Sequence, residues 1–219
     1  MKLELEIQII EGFLKQWFLG AFVQGAPIDA YPILPEEESF ISKAVQRRQN
    51  EFSTGRWISR QGLHFFGFED YPVKIGLLRE PVWPESILGS ISHDGEVCAV
   101  VLAQKDLHGI CGIGVDLVKI SSRLKNMSDL TSIFMTRQSE LEAMNSINIS
   151  MDPAVLLFSI KESVIKALRY KLDSFIDMRD IEIYKSGRLQ YKLLGNSIHG
   201  NIFVAKTNNY LLTAANALI

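Results

Sequence analysis

The sequence is short of cysteine and of long apolar runs, and each shortage excludes a class of protein. Its only cysteines, Cys98 and Cys111, lie inside apolar runs without metal-ligand spacing. Two such cysteines cannot build a disulfide framework, so we expect two reduced, buried thiols. No run approaches the roughly 18 apolar residues that cross a bilayer, and the N-terminus lacks the basic and apolar regions of a signal peptide. We therefore expect a soluble, cytoplasmic protein without a transmembrane segment.

An excess of charge of one sign is also missing. The 219 residues include 23 Lys and Arg and 25 Asp and Glu, which gives a net charge of −2. Without a global positive field, we expect no binding of nucleic acid or anionic lipid. The content of 47% hydrophobic and 22% charged residues is typical of a folded protein with a core. Any polyanion must then be held by a local cluster of Lys and Arg.

The N-terminal half combines strand-like and helix-like patterns. Residues 1–40 alternate over Leu3–Ile9 and then contain aromatic residues and prolines, which predicts a strand or two with loops. Over Glu36–Leu63 apolar residues recur at helical spacing without a proline, so we expect a helix there. The turn signal Asp94–Gly95 leads into Val97–Ala103, a short apolar strand.

The C-terminal half begins with a second apolar strand, Ile110–Ile120, and continues through a helical but broken region, 121–150. The clearest helix is predicted over Pro153–Leu172, where Asp152 can cap the first turn and proline suits it. Four strands separated by turn residues are predicted after it: Ile181–Lys185, Leu189–Leu194, Ile202–Lys206 and Tyr210–Ala215. The fold class that these elements predict is α+β, a mixed α/β arrangement.

The first candidate site residue is Asp116, at the end of the segment Gly112–Asp116. A carboxylate that follows an apolar strand is costly to bury without compensation, and strand ends present catalytic groups in many α/β proteins. The two glycines of the segment also let other atoms approach the backbone closely. A solvated aspartate that begins a turn fits this segment equally well.

The second candidate is the polar face of the predicted helix, which carries Ser159, Glu162, Ser163 and Lys166. Glu162 and Lys166 are four residues apart and can reach a common point. A carboxylate that binds Mg²⁺ beside an ammonium that holds a phosphate would use this geometry. An exposed salt bridge worth about 0.3–0.5 kcal/mol would use it too.

A histidine and a group of arginines complete the candidates. His93 lies among small, hydroxylated residues and could donate a hydrogen bond to phosphate, or bond to the backbone of a turn. Arg48 and Arg56 are eight residues apart and share a helix face, with Arg47 beside them. Their guanidinium groups suit phosphate oxygens, although a solvated basic face is the usual explanation for such a run.

The order of these motifs along the chain is more specific than any one of them. The five motifs are, in order, Arg48-x-x-Glu51-Phe52-x-x-Gly55-Arg56, Gly76-x-x-Arg79-Glu80-Pro81-Val82-Trp83-Pro84, Gly89-Ser90-Ile91-Ser92-His93, Gly112-Ile113-Gly114-Val115-Asp116 and Phe158-Ser159-x-Lys161-Glu162-Ser163-x-x-Lys166-Ala167. The series resembles the Sfp-type 4′-phosphopantetheinyl transferases, most closely the branch that includes the enterobactin synthase component D proteins. The resemblance covers roughly residues 45–195.

The resemblance implies a fold and a set of ligands. The family fold is a pseudo-dimer of two similar α/β halves with coenzyme A in the cleft between them. The halves would be residues 1–105 and 106–219, and the second would carry the metal-binding motifs. Coenzyme A is then a co-substrate, Mg²⁺ the cofactor, and a monomer the expected state.

The resemblance also implies roles for individual residues. Asp116 and Glu162 match the Mg²⁺ ligands. Contacts to coenzyme A are implied for Arg48, Arg56, Lys74, Arg79, His93, Lys161 and Lys166. The residues implied in catalysis are Asp116, Glu140, Glu162 and Lys166.

One position departs from the family pattern. Many members have Asp-x-Glu after the glycines, whereas this sequence has Val118 at the third position. Valine cannot bind a metal ion. Because Mg²⁺ keeps several waters and often binds one or two carboxylates together with substrate phosphates, Asp116 and Glu162 can suffice.

The reaction implied is transfer of 4′-phosphopantetheine from coenzyme A to a serine of an apo acyl, peptidyl or aryl carrier protein, with release of 3′,5′-ADP. Glu140 or a metal-bound water is the candidate base.

Carrier contacts are expected within residues 121–150, where Arg123, Lys125 and Arg137 are basic. The branch suggests siderophore or other nonribosomal peptide synthesis. The alternative is a non-catalytic module that binds coenzyme A or a carrier protein.

Overall fold

A computed structural model describes residues 2–105, 109–120, 127–169, 172 and 174–218. These residues form helices and two separate sheets, which confirms the α+β class. The chain divides into two compact units, Met1–Leu107 and His108–Ile219. That the two units are similar halves stays a prediction. No helix in the described part of the chain is long and apolar enough to cross a membrane.

The first unit contains three helices and a three-stranded antiparallel sheet with the strand order β1-β3-β2. Its helices are α1, Lys2–Trp17, α2, Pro35–Glu38, and α3, Gln46–Phe65, and its strands are β1, Phe22–Pro27, β2, Ile87–Asp94, and β3, Val97–Gln104. The predicted turn at Asp94–Gly95 joins β2 to β3, and Gly95 has a φ of 61°. Helix α3 packs on β3 around an apolar core that includes Ile58, Leu63, Val100 and Leu102.

The prediction of strands at the N-terminus was wrong for residues 2–17, which form α1. The alternation over Leu3–Ile9 overlaps a helical pattern, because Ile7, Ile10 and Leu14 recur at intervals of three and four and are the apolar residues that the helix buries. The exposed Leu5 and Ile9 completed the apparent alternation without belonging to the core.

The predicted helix over Glu36–Leu63 was too long at its start. The segment forms the short α2 and several turns before α3 begins at Gln46. The buried carboxylate of Glu37 anchors α2 separately, since it accepts hydrogen bonds from Leu34 N at 3.0 Å and Val73 N at 2.9 Å and pairs with Arg60 at 2.8 Å.

The second unit is a five-stranded antiparallel sheet in the order β4-β8-β7-β6-β5, with helices packed against it. Its elements are β4, Gly112–Lys119, α4, Thr131–Phe134, α5, Gln138–Asn145, α6, Pro153–Leu168, β5, Ile181–Ser186, β6, Arg188–Leu193, β7, His199–Lys206, and β8, Tyr210–Ala217. All five predicted strands of this half are confirmed, and so is the broken helical region as far as it is described. Helix α6 ends at Leu168, four residues before the predicted end.

Helix α6 packs closely against strand β4 in the second unit. The Asp152 side chain caps the helix by accepting a hydrogen bond from Ala154 N at 2.8 Å, as predicted. Gly112 and Gly114 on β4 face the helix backbone, where an added Cβ would overlap the carbonyl oxygens of Ala167 and Ser163. The glycines therefore allow the first residues of β4 to lie directly against α6.

Candidate functional site

Asp116 and Lys166 meet where β4 lies against α6. Lys166 Nζ lies 2.8 Å from Asp116 Oδ1 and donates a second hydrogen bond to the carbonyl oxygen of Val115 at 2.9 Å. The Asp116 side chain is largely buried and that of Lys166 is partly exposed. The structure thus joins two predicted site residues that lie 50 positions apart in the sequence.

The second oxygen of Asp116 is held from inside the unit. Ser159 Oγ donates to Asp116 Oδ2 at 2.8 Å and lies 2.9 Å from Thr213 Oγ1. Thr213 is the residue opposite Asp116 in the pairing of β4 with β8. Both hydroxyl side chains are fully buried. The carboxylate of Asp116 is therefore fixed through both of its oxygens.

Glu162 lies on α6, like Lys166, and its charge interacts with both Asp116 and Lys166. Burial raises the pKa of Glu162 above its usual value, and the negative charge of Asp116 raises it further, while Lys166 and Arg169 act in the opposite direction. A divalent cation near Glu162 and Asp116 would reduce the repulsion between these two carboxylates.

The fit of Mg²⁺ to this site rests on two protein ligands. Among the described residues, no group of three or more His, Cys, Asp or Glu side chains is arranged to hold a metal ion. Val118 lies two residues after Asp116 on β4 and packs against the apolar core of the unit. Asp116 and Glu162 suit Mg²⁺ as oxygen donors, provided that a substrate phosphate and water complete the shell.

Lys161 and Glu140 form a separate cluster inside the second unit. Lys161 Nζ lies 2.9 Å from Glu140 Oε1 and donates to the Met178 carbonyl oxygen at 3.0 Å. Both side chains are fully buried, and burial lowers the pKa of Lys161 although Glu140 opposes the shift. Glu140 also accepts from the backbone N–H groups of Thr136 at 2.6 Å and Ile183 at 2.9 Å. These contacts favour a structural role for both residues, and their predicted roles at the substrate stay untested.

The first unit brings together Arg48 and His93, which were predicted to contact coenzyme A. Arg48 Nη1 lies 3.0 Å from His93 Nε2, and because a guanidinium only donates, Nε2 accepts in this contact. Glu51 binds the same group: its Oε2 lies 3.3 Å from Arg48 Nη1 and 3.7 Å from His93 Nδ1. Arg47 pairs with the other oxygen of Glu51 at 3.0 Å.

Arg56 is more buried than Arg48 and lies on the same helix, α3. Its Nε donates to the carbonyl oxygen of Val73 at 2.7 Å, and its guanidinium carbon lies 4.3 Å from the ring centroid of Phe52. Burial lowers the pKa of Arg56 to about 10, although Glu37 raises it. Arg56 therefore stabilises the first unit, and its contact to coenzyme A stays a prediction.

The remaining predicted residues lie at exposed positions. Lys74 and Arg79 are exposed in the segment that follows α3, where Arg79 has a φ of 68°. Arg137 is exposed and pairs with Glu182 at 3.1 Å. The other two predicted carrier contacts, Arg123 and Lys125, lie outside the described residues.

No individual role was predicted for Ser159, Thr213 or Glu51. Ser159 belonged to the candidate polar face of the helix and Glu51 to one of the five motifs, so a signal existed for both. For Thr213 there was none, because only the pairing of β8 with β4 places it opposite Asp116.

The geometry defines a class of protein first: an α+β protein in which Asp116, Lys166 and the neighbouring Glu162 meet where β4 lies against α6. Two family models then match consecutive parts of the chain. The 4′-phosphopantetheinyl transferase N-terminal domain matches residues 36–103, and the 4′-phosphopantetheinyl transferase superfamily matches residues 112–215. The chain belongs to the 4′-phosphopantetheinyl transferase superfamily, which confirms the resemblance of its motifs.

Curated relatives agree with this family. Enterobactin synthase component D of Escherichia coli O157:H7 is 33% identical over 143 residues, which are 64% of this chain and 65% of that protein. The 4′-phosphopantetheinyl transferase Svp of Streptomyces mobaraensis is 32% identical over 73% of this chain and 64% of its own length. The 4′-phosphopantetheinyl transferase PptT of Mycobacterium tuberculosis is 34% identical over 38% of this chain and 36% of its own. The chain thus spans just under two thirds of the length of the first of these relatives.

Proposed function

We propose that this protein transfers the 4′-phosphopantetheine group of coenzyme A to a serine of a carrier protein. The observation that carries the proposal is the contact of Asp116 with Lys166 at 2.8 Å, beside Glu162. It joins the two most informative motifs of the sequence at one point, and both motifs lie within the region that matches the superfamily.

The reaction is a displacement at phosphorus. The serine hydroxyl oxygen attacks the phosphorus that carries pantetheine, and a new P–O bond forms. The P–O bond to the second phosphate of the pyrophosphate breaks, 3′,5′-ADP leaves with the electron pair, and the serine proton passes to a base. Negative charge is carried by the non-bridging and leaving oxygens, so the site must present cations in fixed positions.

Three residues of the second unit suit this task. Asp116 and Glu162 would hold Mg²⁺, which neutralises charge on the phosphate oxygens when bound. Lys166 is partly exposed and carries its ammonium group next to both carboxylates, where it can also donate to a phosphate oxygen.

Arg48 and His93 of the first unit are proposed to bind a phosphate of coenzyme A. Their side chains already share one cluster with Glu51, and both are partly exposed. A guanidinium and an imidazole are suitable donors to phosphate. The prediction that Glu140 is the base has little support, since its carboxylate is fully buried and bonded to Lys161 and to backbone N–H groups.

The carrier substrate is proposed from the names of the relatives. Since relatives include enterobactin synthase components, carriers of siderophore assembly are the first to test. The experiment incubates the protein with coenzyme A, Mg²⁺ and a panel of apo acyl, peptidyl and aryl carrier proteins, and follows the mass of each carrier. A mass gain of one phosphopantetheine is expected on at least one carrier. Binding of coenzyme A without any mass gain across the panel would instead favour the non-catalytic module.

The metal assignment predicts the effect of two substitutions. Asp116→Ala and Glu162→Ala should each lower the rate of transfer at least about 100-fold, because each removes one of only two protein ligands. The rate is measured with saturating coenzyme A, and circular dichroism checks the fold. Glu69→Ala, at an exposed carboxylate of the first unit, is the matched control and should leave the rate unchanged. Near wild-type transfer in either site variant would refute the assignment.

A further inference from the structure

Asp116 differs from Glu162 in how firmly its carboxylate is held. We propose that Ser159, held in turn by Thr213, is a positioning residue that orients Asp116 for binding a divalent cation. This inference rests on the proposed function, because it assumes that Asp116 is a metal ligand.

The direction of the hydrogen bonds follows from counting protons. The Asp116 carboxylate only accepts, so Ser159 uses its single hydroxyl proton in the bond to Oδ2 at 2.8 Å. Ser159 Oγ can then only accept in its 2.9 Å contact with Thr213 Oγ1. Thr213 also has a single hydroxyl proton, and its Oγ1 lies 2.9 Å from the carbonyl oxygen of Ser159 as well. Whichever of these two oxygens accepts that proton, Thr213 donates to Ser159, and Ser159 donates to Asp116.

These hydrogen bonds fix the orientation of the carboxylate. Lys166 donates to Oδ1 and Ser159 donates to Oδ2, so rotation of the carboxylate would break two charge-assisted hydrogen bonds. A donor on each oxygen therefore defines the plane of the group.

Burial makes the arrangement rigid. Ser159 and Thr213 are fully buried in α6 and β8, whereas Asp116 keeps a small exposed fraction of 8%. Water cannot replace either hydroxyl from the solvent side, and a hydrogen bond to a charged group is strong in such surroundings. Because Val118 offers no third ligand, the orientation of Asp116 has more influence on metal affinity here than in a site with three carboxylates.

The test compares two buried serines on the same helix. Ser159→Ala removes the donor to Asp116 Oδ2, whereas Ser163→Ala removes a hydroxyl that, among the described residues, donates to the Ile160 carbonyl oxygen at 2.7 Å. The readout is Mn²⁺ affinity, measured from the electron paramagnetic resonance signal of free Mn²⁺ with coenzyme A present. Ser159→Ala should bind Mn²⁺ about tenfold more weakly, as is common when an outer-shell partner is lost. Ser163→Ala should keep wild-type affinity.

A second pair of variants keeps the test decisive if Ser159→Ala fails to fold. Thr213→Val keeps the shape of the side chain and removes its hydroxyl, whereas Thr213→Ser keeps the hydroxyl. We expect Thr213→Ser to bind Mn²⁺ more tightly than Thr213→Val. Equal affinities of these two variants would overturn the role of Thr213.

The outcomes separate this inference from the proposed function. Wild-type Mn²⁺ affinity in Ser159→Ala, an equal loss in Ser163→Ala, or no Mn²⁺ binding by the wild type would each overturn the inference. Selective loss in Ser159→Ala by a protein that transfers nothing to any carrier would support the inference while contradicting the proposed function.

Discussion

At the scale of single residues, Tyr191 is the clearest case of a polar atom in an apolar place. It is fully buried in the core of the second unit, and its hydroxyl has no hydrogen-bond partner among the residues that the structure describes. Burial raises its pKa, because an ionised phenol cannot be solvated there. The hydroxyl therefore costs desolvation energy without a compensating hydrogen bond.

Tyr191→Phe should accordingly stabilise the protein, and more so in alkali. At pH 7 the free energy of unfolding should be equal to or slightly above that of the wild type. Above the unfolded pKa of about 10, wild-type unfolding releases the phenolic proton, so wild-type stability falls as pH rises. At pH 11 the variant should gain about a further 1.4 kcal/mol. Urea unfolding at both pH values measures this, and an unchanged difference between them would contradict it.

A substitution at Glu140 can show whether this predicted site residue has a structural role. Glu140→Gln should lower the free energy of unfolding by about 3 kcal/mol, because it leaves the buried Lys161 ammonium without its counter-charge. Burial lowers the pKa of Lys161, and loss of the Glu140 charge, which opposes that shift, should lower it further. The unfolded variant binds more protons than the folded one only above this lowered pKa, so the deficit should shrink as pH rises through it toward the usual value of 10.5. Glu142→Gln, at an exposed position of the same helix, is the control and should change stability by less than about 0.5 kcal/mol.

A pH-independent loss, or a loss equal to that of the control, would refute this structural role.

The sequence could not show this arrangement, because Lys161 and Glu162 are neighbours in the chain and both looked available to a ligand. On a helix, consecutive residues point about 100° apart. Lys161 consequently points into the interior, while Glu162 stays beside Asp116. The counter-charge of Lys161 is Glu140, and its place depends on how α5 packs against β5.

At the scale of elements, the contact of β4 with α6 depends on small residues. Gly114→Ala should destabilise the protein by about 3 kcal/mol, because its Cβ would overlap the Ser163 carbonyl oxygen and also lie 2.6 Å from Ala167 N. The backbone would have to shift, so Mn²⁺ affinity should fall as well. Chemical denaturation and the Mn²⁺ titration measure the two effects.

Gly12→Ala is the matched control, and it should raise the free energy of unfolding where Gly114→Ala lowers it. Gly12 lies within α1, and an added Cβ there meets no atom within 4 Å. Alanine in an exposed helix interior should stabilise by about 0.5–1 kcal/mol. If both substitutions had the same sign, close packing would not be the reason for Gly114.

The elements also show what a sequence can predict. Helix α6 was predictable because its apolar period, its Asp152 cap and its proline all agree. Helix α1 was not, because its apolar residues fit a period of two over Leu3–Ile9 as well as a helical period. The glycines of β4 correctly predicted a close approach, but α6 as the partner could not be derived from spacing.

At the scale of the whole molecule, the proposed coenzyme A ligands belong to both compact units. Arg48 and His93 lie in Met1–Leu107, whereas Asp116, Glu162 and Lys166 lie in His108–Ile219. If all of them serve one ligand, binding must stabilise both units, because a ligand stabilises every folded region whose integrity it requires. If only the carboxylates and the lysine are used, the first unit should not respond.

Hydrogen exchange of the full chain with and without coenzyme A distinguishes these cases. We expect slower exchange on binding both in β2 and α3 of the first unit and in β4 and α6 of the second. Arg48→Gln should weaken coenzyme A binding about tenfold by removing a charged phosphate contact of roughly 1.4 kcal/mol, and it should reduce the protection of α3. Arg188→Gln, at an exposed arginine of β6, removes the same charge elsewhere and should leave both readouts unchanged. Protection confined to the second unit, with Arg48→Gln matching Arg188→Gln, would show that the basic cluster around Glu51 serves the first unit alone and does not bind coenzyme A.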